Sequence, residues 1–427
     1  MSEWNELPLE QLADISSGGT PSRANPACWG GDIPWVTPSD ITACRTNYLC
    51  ETADFITKKG LSSSSAKLLP KGTLLLTSRA TIGDIRISAG PVTTNQGFKN
   101  VVANDQIDGN FLFYQLSRLK GSFVRYAAGS TFLEINRKDT GRVLVPYPRS
   151  KASQKEIARI LQTIDRAIEQ TEALIDKYQQ IKAGLMHDLF TRGIGPDGQL
   201  RPPREQAPHR YQQTPIGWIP KEWEVGKLGN IADLIVGYAF KSTWFRDEGI
   251  KLLRGENVGC GRANWSEIRC LPSITAESFE EYLLDEGDVV IGMDRTFTKT
   301  GVKISVLGKS DTPSLLVQRV GKFVPVRCRP EYLRWLVVSP SYLQNLVNQQ
   351  KGMDIPHLSK SEILEPRVPV PTKQEQQLIS HMIESVERII DSENLAYEKL
   401  QKQKSGLMHD LLTGKVSVTP DPEPVHG

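Results

Sequence analysis

The octapeptide GLMHDLFT at residues 184–191 returns as GLMHDLLT at 406–413, seven letters of eight alike at a separation of 222 residues. An internal repeat constrains a fold more than any single motif, because each copy must build the same supersecondary unit. Other anchors accompany it. VPYP with Pro146 and Pro148 answers VPVP with Pro369 and Pro371, and WNELPLEQLADI from Trp4 answers WEVGKLGNIADL from Trp223. Midway, LLPKGTLLLTSR resembles LLDEGDVVIGMDR, which sets Arg79 opposite Arg295, and IRIS resembles VKIS. The offset drifts by a few residues between anchors, as loop insertions produce. The chain is therefore written twice, roughly over 1–191 and 223–413. The intervening residues 193–222 are rich in Pro, Gly and Gln without periodicity, which suits a linker.

Each half ends in a helix-period pattern. Apolar residues recur in alternating steps of four and three: Ile157, Leu161, Ile164, Ile168, then Ile175, Tyr178 and Leu185. The second copy gives Ile379, Ile383, Val386, Ile390, then Tyr397, Leu400 and Leu407. That is the a/d seam of a coiled coil. It is broken at matching places by Thr171 and Glu393 and by Lys182 and Lys404; polar seam residues cost stability and can fix register. No insertion separates Gln154 from Gly184 or Gln376 from Gly406, so the two helices are expected to have equal length. Ahead of each helix, GTLLLTS and GDVVIGM read as strands, NFLFYQLSRL and EYLRWLVVS as short helices with aromatic faces. Each half thus begins as a mixed α/β head.

Candidate catalytic strings fail on chemistry. The His-Asp pairs 187–188 and 409–410 lack the further ligand cluster that a metal phosphohydrolase requires, so no metal site is expected. No Asp or Glu has Lys two residues later, as a nuclease of the PD-(D/E)xK kind requires. The only Pro-Pro pair lies in RPPR of the linker, not in an adenine-methyltransferase motif, and GVKISVLGKS has six residues between its glycines where a phosphate loop has four. The six cysteines are irregularly spaced and read as thiols in a reducing cytoplasm. The opening MSEWNELPLE lacks a signal-peptide pattern, and no apolar run is long enough for a membrane span. A net charge of +3 neither demands nor excludes a nucleic-acid partner.

Two heads, two equal helices, the ending GLMHDLLTGKV, the opening GGTPSR…GGDIPWVTPSDI (18–41) and TPIGWIPKEWEV before the second head together resemble the specificity subunits of type I restriction–modification enzymes. The resemblance covers nearly the whole chain. It implies an α/β fold: two homologous mixed α/β target recognition domains separated by two long α-helices pairing as an antiparallel coiled coil, pseudo-twofold symmetric. The expected boundaries are 1–150 for the first domain, 151–192 for its helix, 193–222 for the linker, 223–372 for the second domain, 373–414 for its helix and 415–427 for a disordered tail. It further implies double-stranded DNA, two methyltransferase subunits and two restriction/translocase subunits as partners. S-adenosylmethionine, ATP and Mg would then belong to those partners, with no cofactor in this chain. A bipartite reader needs half-sites about one helical turn, ~34–36 Å, apart, with the helix pair as ruler. A coiled-coil scaffold bridging two proteins is the competing reading, separable by its weak salt dependence.

Base readout needs hydrogen-bonding side chains on loops, and phosphate contact needs only charge. In the first head the candidates are Thr20, Ser22 and Arg23; Ser78, Arg79 and Thr81; Asn95, Gln96 and Lys99; and Ser130, Thr131, Asn136 and Arg137. In the second they are Lys241, Arg254, Asn257, Arg295, Thr298, Lys299, Gln318, Arg319, Lys351, His357 and Lys360. Matching loops differ in content, so the two half-sites are expected to differ. Trp29, Trp35 and Trp244 suit core better than base stacking. The repeated strings, through Gly184, Leu185, Met186 and His187 and through Gly406, Leu407, Met408 and His409, are expected to offer equivalent surfaces to two identical partners.

Overall fold

The computed structural model describes residues 4–129, 133–299, 301–348 and 357–419. The chain divides into two compact units, residues 1–174 with 393–427, and residues 175–392. The division cuts through both long helices, α1 (Lys151–Thr191) and α2 (Lys373–Leu412), of 41 and 40 residues, each about 60 Å long at 1.5 Å per residue. Each unit therefore holds one head, one segment of α1 and one segment of α2.

In the first unit the main sheet runs Ala13–Ser17, Phe98–Ala103, Leu74–Thr77, Ile85–Ser88, Tyr48–Leu49. In the second it runs Ala232–Val236, Val320–Pro325, Val289–Gly292, Ile304–Val306, the same order for the four strands they share. The central strands LLLT and VVIG are buried at every residue, which is why they read as continuous apolar runs without alternation. The proline-bearing exit strands pair at the margin: Leu144–Pro148 with Trp4–Pro8, and Arg367–Val370 with Glu224–Lys227, both antiparallel. Smaller sheets complete each head, Trp29–Val36 with Asp54–Ile56 and Thr93–Thr94 in one, and Ile250–Leu253 with three short strands in the other.

Within each unit the helix segments pair antiparallel. In the first, Lys404 reaches Asp165 at 2.6 Å; in the second, Lys182 reaches Glu387. Asp165 and Glu387 stand 222 residues apart, as do Lys182 and Lys404, so the two ion pairs are copies of one device. The lysines that interrupt the seam are thus answered by acidic partners that the heptad pattern did not single out. Asp165 is only 7% exposed and also accepts from Tyr114 Oη at 2.5 Å and Asn47 Nδ2 at 2.6 Å, which satisfies the buried charge. All fourteen predicted seam residues are buried or half-buried; Ile157, Leu161, Ile379 and Ile383 are nearly inaccessible.

A second duplicated device fastens helix to head. Gln154 and Gln376, both fully buried, donate to Pro148 O and Pro371 O at 2.9 Å. Their carbonyls accept Asp108 N at 2.7 Å and Arg329 N at 2.9 Å, the N-cap residues of helices Gly109–Arg118 and Pro330–Leu336.

The repeated octapeptide belongs to the cores. Met186, Leu189 and Phe190 are buried in the apolar core of the second unit with Trp223, Tyr332, Ile379 and Ile383. Leu411 and Leu412 are buried in that of the first with Leu9, Phe111 and Leu161, and Leu407 and Met408 pack against it. Each helix thus closes the core of the head it does not follow in sequence. Glycines with positive φ end the strings: a Cβ on Gly193 (φ +64°) would lie 2.2 Å from Trp223, and one on Gly414 (φ +72°) 2.6 Å from Trp4. This corrects the expectation that Met186 faces a partner; its burial assigns it to packing. Leu185, Leu407 and Met408 are half-buried, and Gly184, His187, Gly406 and His409 remain exposed.

Two further expectations change. Residues 193–222 fold as a strap with a hairpin, Tyr211–Thr214 against Gly217–Pro220. Arg201 of this strap is buried against Glu375 with Nη1–Oε1 2.5 Å, and Glu375 also accepts Trp223 Nε1 at 2.9 Å and Ile194 N at 2.8 Å. Burial alone would lower the Arg201 pKa; the Glu375 carboxylate outweighs it and raises it. Part of the tail 415–427 lies outside the described residues, but Val418 packs against the first core.

Candidate nucleic-acid interface

Each head carries a polar rim built by three segments that meet beyond the ends of buried strands. After the strand Leu74–Thr77, Ser78 donates its N–H to Gly97 O at 2.8 Å and its carbonyl accepts Ile135 N at 3.1 Å. After Val289–Gly292, Met293 N donates to Arg319 O at 2.8 Å and Met293 O accepts Leu358 N at 2.9 Å. The backbone pattern therefore matches Ser78 with Met293, Gly97 with Arg319, and Gln96 with Gln318. It also sets Arg79 opposite Asp294 and Ala80 opposite Arg295. The arginines that close the two resembling strings, Arg79 and Arg295, are thus one residue out of register: Gly72–Ser78 and Gly287–Met293 match without a gap, and Asp294 stands between Met293 and Arg295.

In the first rim Arg79 Nε meets Glu134 at 2.9 Å, and Lys99 Nζ lies 3.8 Å from the same carboxylate. Lys99 is 4% exposed and donates to Ser78 Oγ at 3.1 Å; burial lowers its pKa, only partly opposed by Glu134. Gln96 is exposed, and its Oε1 accepts from Thr20 Oγ1. Ser78 and Lys99 are both buried, so they support the rim and do not reach outward, a correction to their placement among the readers. Asn95 Oδ1 accepts Gly97 N at 2.8 Å and shapes the turn. Thr81 is half-buried behind it. Asn136 caps the helix Arg137–Gly141 by accepting Asp139 N at 2.9 Å, leaving Arg137 exposed beside it.

Arg23 forms a separate group. Its guanidinium lies 3.7 Å from the Trp29 ring centre and 2.7 Å from Asp54, next to exposed Ser22. Trp35 is buried and donates Nε1 to Gly19 O at 2.9 Å, as a core residue does; Trp29 meets it edge-on at 4.9 Å.

In the second rim the charge pattern is inverted. Asp294 accepts from Arg319 Nη1 at 2.5 Å and lies 2.6 Å from His357 Nδ1. Burial would raise the Asp294 pKa, but those two hydrogen bonds outweigh it and hold the carboxyl below its ordinary value. Arg295 and Gln318 are exposed on the same rim. Thr298 and Lys299 are exposed on the small hairpin that follows. Lys360 pairs with Asp233 at 2.8 Å, and Lys241 lies 5.6 Å from the half-buried Trp244 ring. Arg254 pairs with Glu256. Asn257, 1% exposed, spends its amide on Asn264 O and Glu267 O at 3.0 and 2.9 Å; it is a loop strut, not a reader. Ser130, Thr131 and Lys351 lie outside the described residues.

Sequence reasoning missed Asp294 and Glu134, because it searched for donors and cations. A carboxylate on a candidate loop can itself accept from a base amine, but the arginines these two hold, Arg319 and Arg79, lie 25 and 55 residues away, so no local pattern announced the pairing. Among the described residues no three His, Cys, Asp or Glu side chains gather as a metal site, and no helix is long and apolar enough to cross a membrane.

A duplicated α/β head with an exposed polar rim and a long helix is the architecture of a bipartite recognition protein. The sequence matches the type I restriction modification DNA specificity domain over residues 1–180 and again over 220–402. The chain belongs to that family. It is 28% identical over 372 residues to the type I restriction enzyme MjaVIII specificity subunit of Methanocaldococcus jannaschii, covering 84% of each chain. The MjaIX specificity subunit of the same organism is 26% identical over 423 residues, covering 97% of this chain and 94% of that one. The crystal structure of an S subunit from M. genitalium shares the fold at a TM-score of 0.60, with 96% of each chain covered at 16% identity.

Proposed function

We propose that this chain is the DNA-reading component of a type I restriction–modification complex, each head reading one half of a bipartite, asymmetric target. The observation that carries it is the pair of structurally matched rims with unlike side chains: Arg79 and Glu134 in one, Asp294, Arg319 and His357 in the other. Equivalent frames place the two readers equivalently, and unlike charges demand unlike base edges. The paired helices set the spacing between half-sites. Adenine methylation and ATP-driven cleavage belong to two methyltransferase and two restriction/translocase subunits in the cytoplasm, which bring S-adenosylmethionine, ATP and Mg. The exposed Gly184, His187, Gly406 and His409 are the part of the repeated strings left for those partners.

The test is to co-express the chain with its methyltransferase subunit in a methylation-free host and sequence the modified adenines, with and without the chain. An asymmetric bipartite motif that depends on the chain is the expected result. Absence of any mark from a co-purified complex would sink the reading and favour a protein-bridging scaffold.

A further inference from the structure

Ala80 (φ +56°), Arg295 (φ +48°) and Arg319 (φ +63°) are the only non-glycine residues at positive φ among the described residues, and all three stand on the two rims. This region of backbone space disfavours any residue with a Cβ, and arginine has no short polar side chain to compensate locally. Glycine would occupy it freely. Neither arginine recovers the cost by packing: Arg295 is exposed, and the Arg319 side chain is 66% exposed. At the matched positions the first head has Ala80, also at positive φ, and Gly97, which is not, so the fold requires neither arginine side chain. The strained turn is common to both heads, since Ala80 shares it with Arg295. What is peculiar to the second head is that arginines stand at both strained positions and reach solvent, beyond the one ion pair of Arg319 with Asp294, which points to a use for the side chains.

We propose that Arg295 and Arg319 are the side chains of the second head that read a guanine in its half-site. This rests on the DNA-reading function proposed above. Asp294 takes one Nη1–H of Arg319 at 2.5 Å, which leaves most of the five-donor fork free while fixing its plane. A fixed guanidinium fork matches guanine O6 and N7, the commonest specific contact in the major groove. Asp294 is a positioning residue in this arrangement, and His357 shares its carboxylate. Arg295 follows Asp294 directly in the chain and is exposed, so it stands on the same rim as Arg319.

The experiment uses the complete chain with its methyltransferase subunit, as wild type, Arg295→Gly and Arg319→Gly. Modified adenines are mapped, and thermal unfolding of each protein is measured. Glycine relieves the backbone, so Arg295→Gly is expected to unfold at the wild-type temperature or above. Both variants are expected to lose discrimination at a guanine by about 10-fold or more, in the same half of the motif, with the other half intact. An unchanged motif overturns the assignment. So does an even weakening of both halves, which is the behaviour of a phosphate contact, or an effect of the two variants on different halves. A fall in unfolding temperature for Arg295→Gly overturns the strain argument. If wild type itself directs no bipartite mark, the proposed function fails; if wild type marks and the variants match it, only this inference fails.

Discussion

Leu412 tests the crossed seating of the repeated strings. Its side chain is fully buried in the first core, and its carbonyl accepts Gln115 Nε2 at 2.9 Å. Truncation to alanine removes three buried carbons and leaves a cavity lined by a rigid α/β head. For so complete a burial the cost is about 3 kcal/mol, inside the usual range for Leu→Ala. The backbone bond from Gln115 survives the substitution, so no further penalty applies. Hydrogen exchange reads where the loss falls. Amides of Leu74–Thr77, in the first head, should exchange about two decades faster in Leu412→Ala if they open only with their unit. Those of Val289–Gly292 should be unaffected. Leu189→Ala, equally buried but in the second core, should give the mirror image. As control, Leu395→Ala removes a side chain that is 69% exposed and should change stability by less than about 0.5 kcal/mol. If Leu412→Ala loosened the second head instead, each helix would close the head it follows in sequence, and the packing argument would be wrong.

Four other substitutions probe the polar devices. Lys404→Met strands Asp165, 7% exposed, and should cost about 2–3 kcal/mol by chemical denaturation; the figure is below the full penalty because Tyr114 and Asn47 still donate to it. The matched Lys182→Met should cost about 1 kcal/mol or less, since Glu387 is 26% exposed and stays hydrated; equal losses would contradict this. Glu375→Gln leaves Arg201 charged and buried and should destabilise the second unit by about 3–5 kcal/mol, read as a shift of its calorimetric transition. The Asp294 carboxyl is depressed in the folded protein, so its stabilisation is present above the ordinary value of 3.8 and lost as pH falls through the depressed one. The stability difference between wild type and Asp294→Asn should therefore persist down to about pH 4 and shrink below it; a difference that grows on acidification would refute the ion-pair account.

The duplication, the two helices and the seam could be read directly because they are periodic: residues such as Ile157 and Ile383 recur at fixed steps, and period is visible in one dimension. The rim could be read only as a list of polar loop residues. Polar loops look alike whether a side chain points outward, as at Arg295, or inward, as at Lys99 and Asn257. The 193–222 strap was illegible for a related reason. Its order comes from Arg201 meeting Glu375 across 174 residues, and no local pattern announces a partner so distant.

From the sequence alone came the family, the two-headed plan and the length of the helices, since repeats and heptads are local signals that survive without coordinates. The tertiary structure alone decided which head each repeated string closes, that Lys182 and Lys404 are answered by Glu387 and Asp165, and that Arg79 meets Glu134 and Arg319 meets Asp294. Those are facts of long-range register, fixed by backbone hydrogen bonds and by the cost of leaving a buried charge unpaired, and both act between residues that sequence keeps far apart.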